Sequence, residues 1–329
     1  DPSPPKFMPI PDTPLSQQIA CFETALAADP RLQASGLLAT LDIDTLSYAL
    51  FEACSVQVDV LRADQLHPVV SGNKWFKLKY NLLQAQRDGC RELLSFGGAW
   101  SNHLHALAYV GGLLGFKTCG IVRGNELDTA ANPMLAEAQA LGMELEFVSR
   151  QQFRYYREAP RQLAANLRWV IPEGGDNQLG QLGAASMLLQ AHAVAGEYSH
   201  VVVAVGTGCT FAGLRQALPD SVKLVGVSAL KGAWVEQDMA RRMRGLPAGG
   251  WYLDQAHHFG GFGKVTPDLL SFIRGFGDNT GLLLDPIYTG KAMMALQDLI
   301  SESMIPCGSR VLFVHSGGLQ GRRGFPITH

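Results

Sequence analysis

The stretch from Val69 to Leu82, VVSGNKWFKLKYNL, gathers three amines, Lys74, Lys77 and Lys79, within six positions directly after a Ser-Gly-Asn turn. A lysine amine in water is protonated and a poor nucleophile, whereas burial and neighbouring cations depress its pKa until the neutral amine can condense with an aldehyde. Lys74, at the turn, is the candidate for that chemistry; Lys77, one turn on, reads as a source of positive field, and Lys79 as a solvated helix charge. A second stretch, GTGCTFAGL from Gly206 to Leu214, is a glycine-rich turn entering a helix. Glycine lets a ligand approach the backbone, and the unpaired N–H groups at a helix start favour a phosphate. A dinucleotide site would also want a carboxylate about 20 positions on to hold a ribose hydroxyl. That region reads LVGVSAL, which leaves a phosphate monoester as the better guest, or a tight turn with no ligand. A third stretch, GGAWSNHLHALA from Gly97 to Ala108, places Ser101 and Asn102 at a helix start, where Ser101 can also serve simply as the N-cap. His103 and His105 are two apart and point in different directions on a helix, so they cannot share a metal. Both read as structural or one layer removed from a ligand, as does the pair His257 and His258.

These residues need elements to hold them. Apolar runs at 56–61, 92–97, 119–123, 145–148, 169–171, 200–205, 223–229 and 311–315 predict strands. Between them lie segments that predict helices near 75–88, 101–115, 130–141, 152–167, 182–196, 209–217, 232–243, 266–275 and 290–303. This alternation predicts an α/β fold with mainly parallel sheets. The run HVVVAV at 200–205 is apolar throughout and belongs at the centre of a sheet, buried on both faces. In open parallel sheets ligands gather beyond the carboxyl ends of the strands. Three motifs stand there: GGAWSNHLHALA, GTGCTFAGL and SGGLQG, which starts at Ser316.

With 329 residues the chain is long enough for two domains and a large cleft. A formal net charge of -2 supplies no broad basic field, which argues against nucleic acid or an acidic membrane and for a small-molecule partner. The six cysteines are scattered without metal-ligand spacing, so no metal site is expected and free thiols in a reducing compartment are. No run of about 18 apolar residues and no basic-then-apolar leader occurs, which points to the cytoplasm.

A reactive lysine combined with a phosphate-binding turn suggests pyridoxal 5'-phosphate, whose aldehyde takes the amine and whose phosphate takes the helix start. From about Val58 to Gly318 the chain resembles the fold type II, tryptophan synthase β-like pyridoxal enzymes, in the branch of 1-aminocyclopropane-1-carboxylate deaminase and D-cysteine desulfhydrase. SGNKWFKLKY is similar to that branch's Gly-Asn-Lys-x-x-Lys-Leu segment, which makes Lys74 the Schiff-base lysine. The resemblance implies that Asn102 lies beside the pyridine 3-oxygen and Ser101 beside the substrate, and that Gly206, Thr207, Gly208, Cys209 and Thr210 cup the phosphate. LDPIYTGKAM, Leu284 to Met293, is similar to the segment that brings in an aromatic residue, here Tyr288, and the pyridine-nitrogen partner, here Thr289. Ser101, Asn102, His103, Phe262, Tyr288 and Ser316 are the substrate-side candidates, with Lys74, Ser101 and Tyr288 the catalytic ones. A large cofactor-binding domain of 1–76 plus 171–329, a small domain of 77–170 closing over the site, and a homodimer are implied in the same way.

Within the branch, the deaminases carry Glu where this chain has Thr289 and Leu where it has Ser316. A hydroxyl leaves the ring nitrogen largely unprotonated, a weaker electron sink that suits α-proton removal with β-elimination. Both positions therefore favour D-cysteine or a related β-substituted D-amino acid over the cyclopropane substrate. Phe262 departs from the branch's tyrosine in its Gly-Tyr-Gly or Glu-Tyr-Gly turn and removes a polar contact. The rivals are an aminocyclopropane-carboxylate deaminase, a racemase or dehydratase, a non-catalytic pyridoxal-binding protein and, for want of the acidic residue, least of all an oxidoreductase.

Overall fold

The computed structural model describes residues 14–191, 195–246 and 250–327. Its strands are β1 (Ile43–Leu46), β2 (Gln57–Leu61), β3 (Glu92–Gly97), β4 (Lys117–Arg123), β5 (Met143–Val148), β6 (Arg168–Val170), β7 (His200–Val205), β8 (Lys223–Ser228), β9 (Trp251–Asp254) and β10 (Arg310–Val314). Its α-helices are α1 (Leu15–Ala27), α2 (Pro30–Ser35), α3 (Ala49–Ala53), α4 (Asn73–Arg87), α5 (Asn102–Leu113), α6 (Pro133–Ala140), α7 (Arg150–Glu158), α8 (Gln178–Gln190), α9 (Cys209–Ala217), α10 (Trp234–Met243), α11 (Pro267–Thr280) and α12 (Thr289–Ser301). Every strand and helix expected from the apolar pattern is present among the described residues, with ends moved by a few residues outside the segments 152–167 and 182–196. The segment 152–167 is the instructive difference: α7 stops at Glu158 because Pro160 lacks an N–H and disfavours helical backbone before it. Residues 192–194 of the segment 182–196 lie outside the described residues.

The chain divides into two units. One takes in Asp1–Leu38, His67–Val70 and Lys74–Gly183, the other Ala39–Leu66, Ser71–Asn73 and Ala184–His329, as far as their residues are described. The first unit is built on a parallel sheet in the order β5-β4-β3-β6, with Leu94, Phe96, Ile121, Val148 and Phe153 forming one buried cluster. The second is built on a six-stranded sheet in the order β1-β2-β10-β7-β8-β9, in which β1 alone pairs antiparallel. β7 lies inside that sheet with all six residues buried, as its uninterrupted apolar run requires. The apolar faces of β2, β7, β8 and β10 pack with α3, α11 and α12 into the larger core.

Register decides where loops emerge. Val314 pairs with Leu61 on one side and Val203 on the other, so β2, β10 and β7 end together at the carboxyl edge of the second sheet. The segments 62–73, 315–318 and 206–210 leave from these three neighbouring ends, where the ligands of parallel sheets collect. In the first unit, β3 runs through Gly97 into the turn before α5. Among the described residues, no helix is long and apolar enough to cross a membrane. The six cysteines, all described, form no disulfide.

Candidate active site

In the second unit the three loops are stitched to one another. Gly72, at φ +69°, donates its N–H to Ala63 O (2.7 Å), and a Cβ there would lie 2.0 Å from Ser316 O. Asn73 donates its N–H to Ser316 O (3.1 Å) and its side-chain amide to Thr210 Oγ1 (2.9 Å). Ser316 is itself buried, and Gly317, at φ +84°, presses against Gly72. The Gly-Asn turn before Lys74, the Ser-Gly pair after β10 and the glycine loop after β7 thus form one assembly.

The glycine loop has the features of an anion cradle. Gly208, in a left-handed conformation at φ +87°, precedes α9, whose N-terminus no side chain caps. A Cβ added to Gly208 would come within 2.3 Å of Met239 Cε, and one added to Gly206 would lie 3.2 Å from the Tyr288 ring. Thr207 Oγ1 is buried without a hydrogen-bond partner, Cys209 is fully buried, and Thr210 holds Asn73. A buried hydroxyl without a partner costs free energy unless a ligand satisfies it. A helix start without a side-chain cap, two glycines and that hydroxyl fit a phosphate.

At the start of α12, Asp285 does the capping. Its Oδ2 accepts from the N–H of Ile287 and Tyr288, and its Oδ1 from the N–H and hydroxyl of Thr289, at 2.9 and 2.7 Å. Thr289 Oγ1 in turn accepts from the Asp285 N–H at 2.9 Å. The fully buried Thr289 therefore has its single hydroxyl proton committed, and only one lone pair of its oxygen is left over. Tyr288 lies between the glycine loop and Phe262, whose half-exposed ring sits 6.1 Å from it, centroid to centroid.

The first unit holds the other candidates. Ser101 caps α5, accepting from the Leu104 N–H (3.2 Å), and a Cβ on Gly97 would come within 2.4 Å of its Oγ. Asn102 Oδ1 is buried with no hydrogen-bond partner. His103 is fixed by deduction: Ser95 has one hydroxyl proton and gives it to Ile171 O (2.8 Å), so His103 Nε2, 2.8 Å from the same oxygen, must donate. Its Nδ1 is then a buried, unpartnered acceptor. Burial, with the charges of Lys77 and Lys74 behind it, holds the ring well below its ordinary pKa of 6.5 and therefore neutral. His105 instead faces Glu137 at 2.9 Å. Among the described residues, no group of His, Cys, Asp and Glu could hold a metal.

Of the three lysines, Lys79 departs from its expected role. Lys74 is half-buried and follows Asn73 directly, so the turn that joins the three loops also fixes its backbone. Lys79 is not a solvated charge: it is fully buried and paired with Glu23 of α1, where Tyr80 also donates. Burial lowers its pKa to about 8 against the pull of Glu23. The sequence could not show that α1, some fifty residues earlier, covers this face of α4. Lys77 is buried as well. Asp285 escaped the sequence reading although LDPIYT carried a legible signal, an acidic residue just ahead of a helix start.

The loop 206–210 leaves the carboxyl edge of a parallel sheet, and the Asn73 side chain is bonded to it through Thr210. Residues 49–317 match the family described as "Pyridoxal-phosphate dependent enzyme". A relative from Pyrococcus abyssi, named "Putative 1-aminocyclopropane-1-carboxylate deaminase", is 30% identical over 287 residues, covering 81% of this chain and 86% of that protein. A crystal structure described as that of an ACC deaminase homologue superposes with a TM-score of 0.74 at 26% identity, over 92% of this chain and 95% of the other. Threonine deaminase isoform 2 of Solanum lycopersicum shares the fold, with a TM-score of 0.66 at 13% identity over 96% of each chain. The chain belongs to the pyridoxal-phosphate-dependent enzyme family, with fold type II architecture and in the 1-aminocyclopropane-1-carboxylate deaminase branch. Its cofactor is pyridoxal 5'-phosphate.

Proposed function

We propose that this enzyme is a lyase that removes the β-substituent of a small D-amino acid, D-cysteine foremost, and releases pyruvate, ammonia and sulfide. The observation that carries the reading is Thr289, a neutral residue at the position where the branch's cyclopropane-opening members carry a carboxylate. Ser316 in place of their leucine agrees with it. When bound, pyridoxal 5'-phosphate supplies the electron sink for the substrate's α-carbon. Lys74 holds the cofactor at rest and moves the α-proton during turnover. Thr207 and the first N–H groups of α9 hold the phosphate, and Asn102, whose Oδ1 is buried without a partner, stands on the ring side. Ser101 and Tyr288 orient the substrate carboxylate, and neutral His103, fixed through Ser95, keeps the start of α5 in place. The residue roles and a homodimer belong to the same proposal.

A second reading, opening of the cyclopropane amino acid to 2-oxobutanoate, is favoured by the names of the Pyrococcus relative and the superposed homologue. One assay separates the two: sulfide release from D-cysteine against 2-oxobutanoate release from 1-aminocyclopropane-1-carboxylate. Sulfide alone supports the elimination, and 2-oxobutanoate alone overturns the use made of Thr289. Lys74→Ala is expected to abolish turnover and the borohydride-sensitive visible absorbance of the bound cofactor; an unchanged absorbance sinks the role of Lys74.

A further inference from the structure

Two cations tie the loop after β9 to α12 from opposite directions. Lys291, on α12 and 1% exposed, donates from Nζ to the carbonyls of His258 (2.9 Å) and Gly261 (3.1 Å). His257, on the loop, stands between Asp254 at the end of β9 (2.9 Å from Nδ1) and Asp298 of α12 (3.0 Å from Nε2). Asp254 Oδ1 also accepts the His257 N–H, which fixes the first turn of the loop. The loop between these anchors cannot hold itself by regular structure. Phe259, Gly260, Gly261 and Gly263 all have positive φ, and for Phe259, at +50°, that is a strained conformation. Its internal bonds converge where Lys291 binds: the His258 carbonyl accepts from Gly261 N–H as well as from Lys291, and the Gly261 carbonyl accepts from Lys264 N–H. An ammonium is costly to bury, and Met or Leu would fill the same volume without that cost. What the charge contributes at this position is the two carbonyl bonds.

The loop carries Phe262, whose ring faces Tyr288, and Tyr288 in turn faces Gly206 of the phosphate cradle. We propose that Lys291 and His257 are positioning residues, a two-cation brace that fastens the 257–263 loop to α12 so that Phe262 is held against Tyr288 where the substrate's side chain is selected. The selecting role of Phe262 rests on the function proposed above; the brace itself does not.

The test uses the holoenzyme with two single variants. Lys291→Met removes the carbonyl bonds at constant length, and Asp298→Asn removes one arm of the His257 clasp at a position already half-exposed, where loss of folding is not a concern. Amide hydrogen exchange without substrate is expected to quicken about tenfold in 257–264 in both variants, with β10 and α9 unchanged. With substrate, KM is expected to rise about three- to tenfold while kcat changes less than about twofold and cofactor affinity holds. Unchanged exchange in 257–264, or exchange that rises evenly through the second unit, overturns the brace. Faster loop exchange with an unchanged KM overturns its part in selection. If the wild type turns over neither amino acid, the proposed function falls, and the exchange measurement still decides the brace.

Discussion

Thr289 shows how a single side chain can be read two ways. Its hydroxyl donates to Asp285 Oδ1 and accepts the Asp285 N–H, so it closes a five-residue turn at a helix start, at the position to which the proposed function assigns chemistry. Thr289→Val keeps the volume but leaves a buried N–H and one carboxylate oxygen short of a partner, which costs about 1–3 kcal/mol. The denaturant midpoint of the holoenzyme is expected to fall accordingly, and an unchanged midpoint would show that the turn does not depend on the hydroxyl. Lys79 makes the complementary point. Its sequence setting is that of a solvated charge, and only the packing of α1 makes it a buried partner of Glu23.

At the scale of elements, the loop assembly of the second unit depends on three strands ending in register. The Gly72 turn after β2 lies so close to the Ser316 carbonyl after β10 that no side chain fits. Gly72→Ala must displace that carbonyl and also hold a φ of +69°, a left-handed conformation. A destabilisation of about 3 kcal/mol or more follows, together with weaker cofactor binding, since Asn73 and Thr210 share the contact. Chemical denaturation and cofactor titration of the variant check both, and a variant with wild-type stability would show that the two loops can part. The elements the sequence pattern missed, α1, α2, α3, β1 and β9, explain themselves in the same terms. β1 and β9 are edge strands of four residues each, and so short a run carries little periodicity.

For the whole molecule, pH acts through the brace on α12. The neighbouring carboxylates of Asp254 and Asp298 raise His257 from 6.5 to about 9 against the opposing effect of burial. A raised pKa means the folded state holds this proton more tightly than the unfolded chain. The stabilisation is complete below about 6.5 and is lost as pH rises through about 9. The melting temperature is expected to decline across that window, and Asp298→Asn to flatten the decline; an equal decline in the variant would assign it to other groups. Lys291, lowered to about 8 by burial, remains largely protonated at neutral pH and keeps its carbonyl bonds there.

What the residues determined by themselves was local or periodic. The apolar run of β7 placed it inside a sheet, the glycines of 206–208 specified a tight turn at a helix start, and Ser101 specified a cap. Each of these depends on neighbours within a few positions, which any reading of the chain contains. The Asn73–Thr210 bond, the Gly72–Ser316 contact and the clasp of His257 by Asp298 join residues tens to hundreds of positions apart. Only the order β2-β10-β7-β8-β9 brings them together, because strand order and register, not spacing along the chain, set which loops share an edge. The burial of Lys79 and Lys291 belongs to the same category, since whether an ammonium meets water or a carbonyl depends on what packs over it.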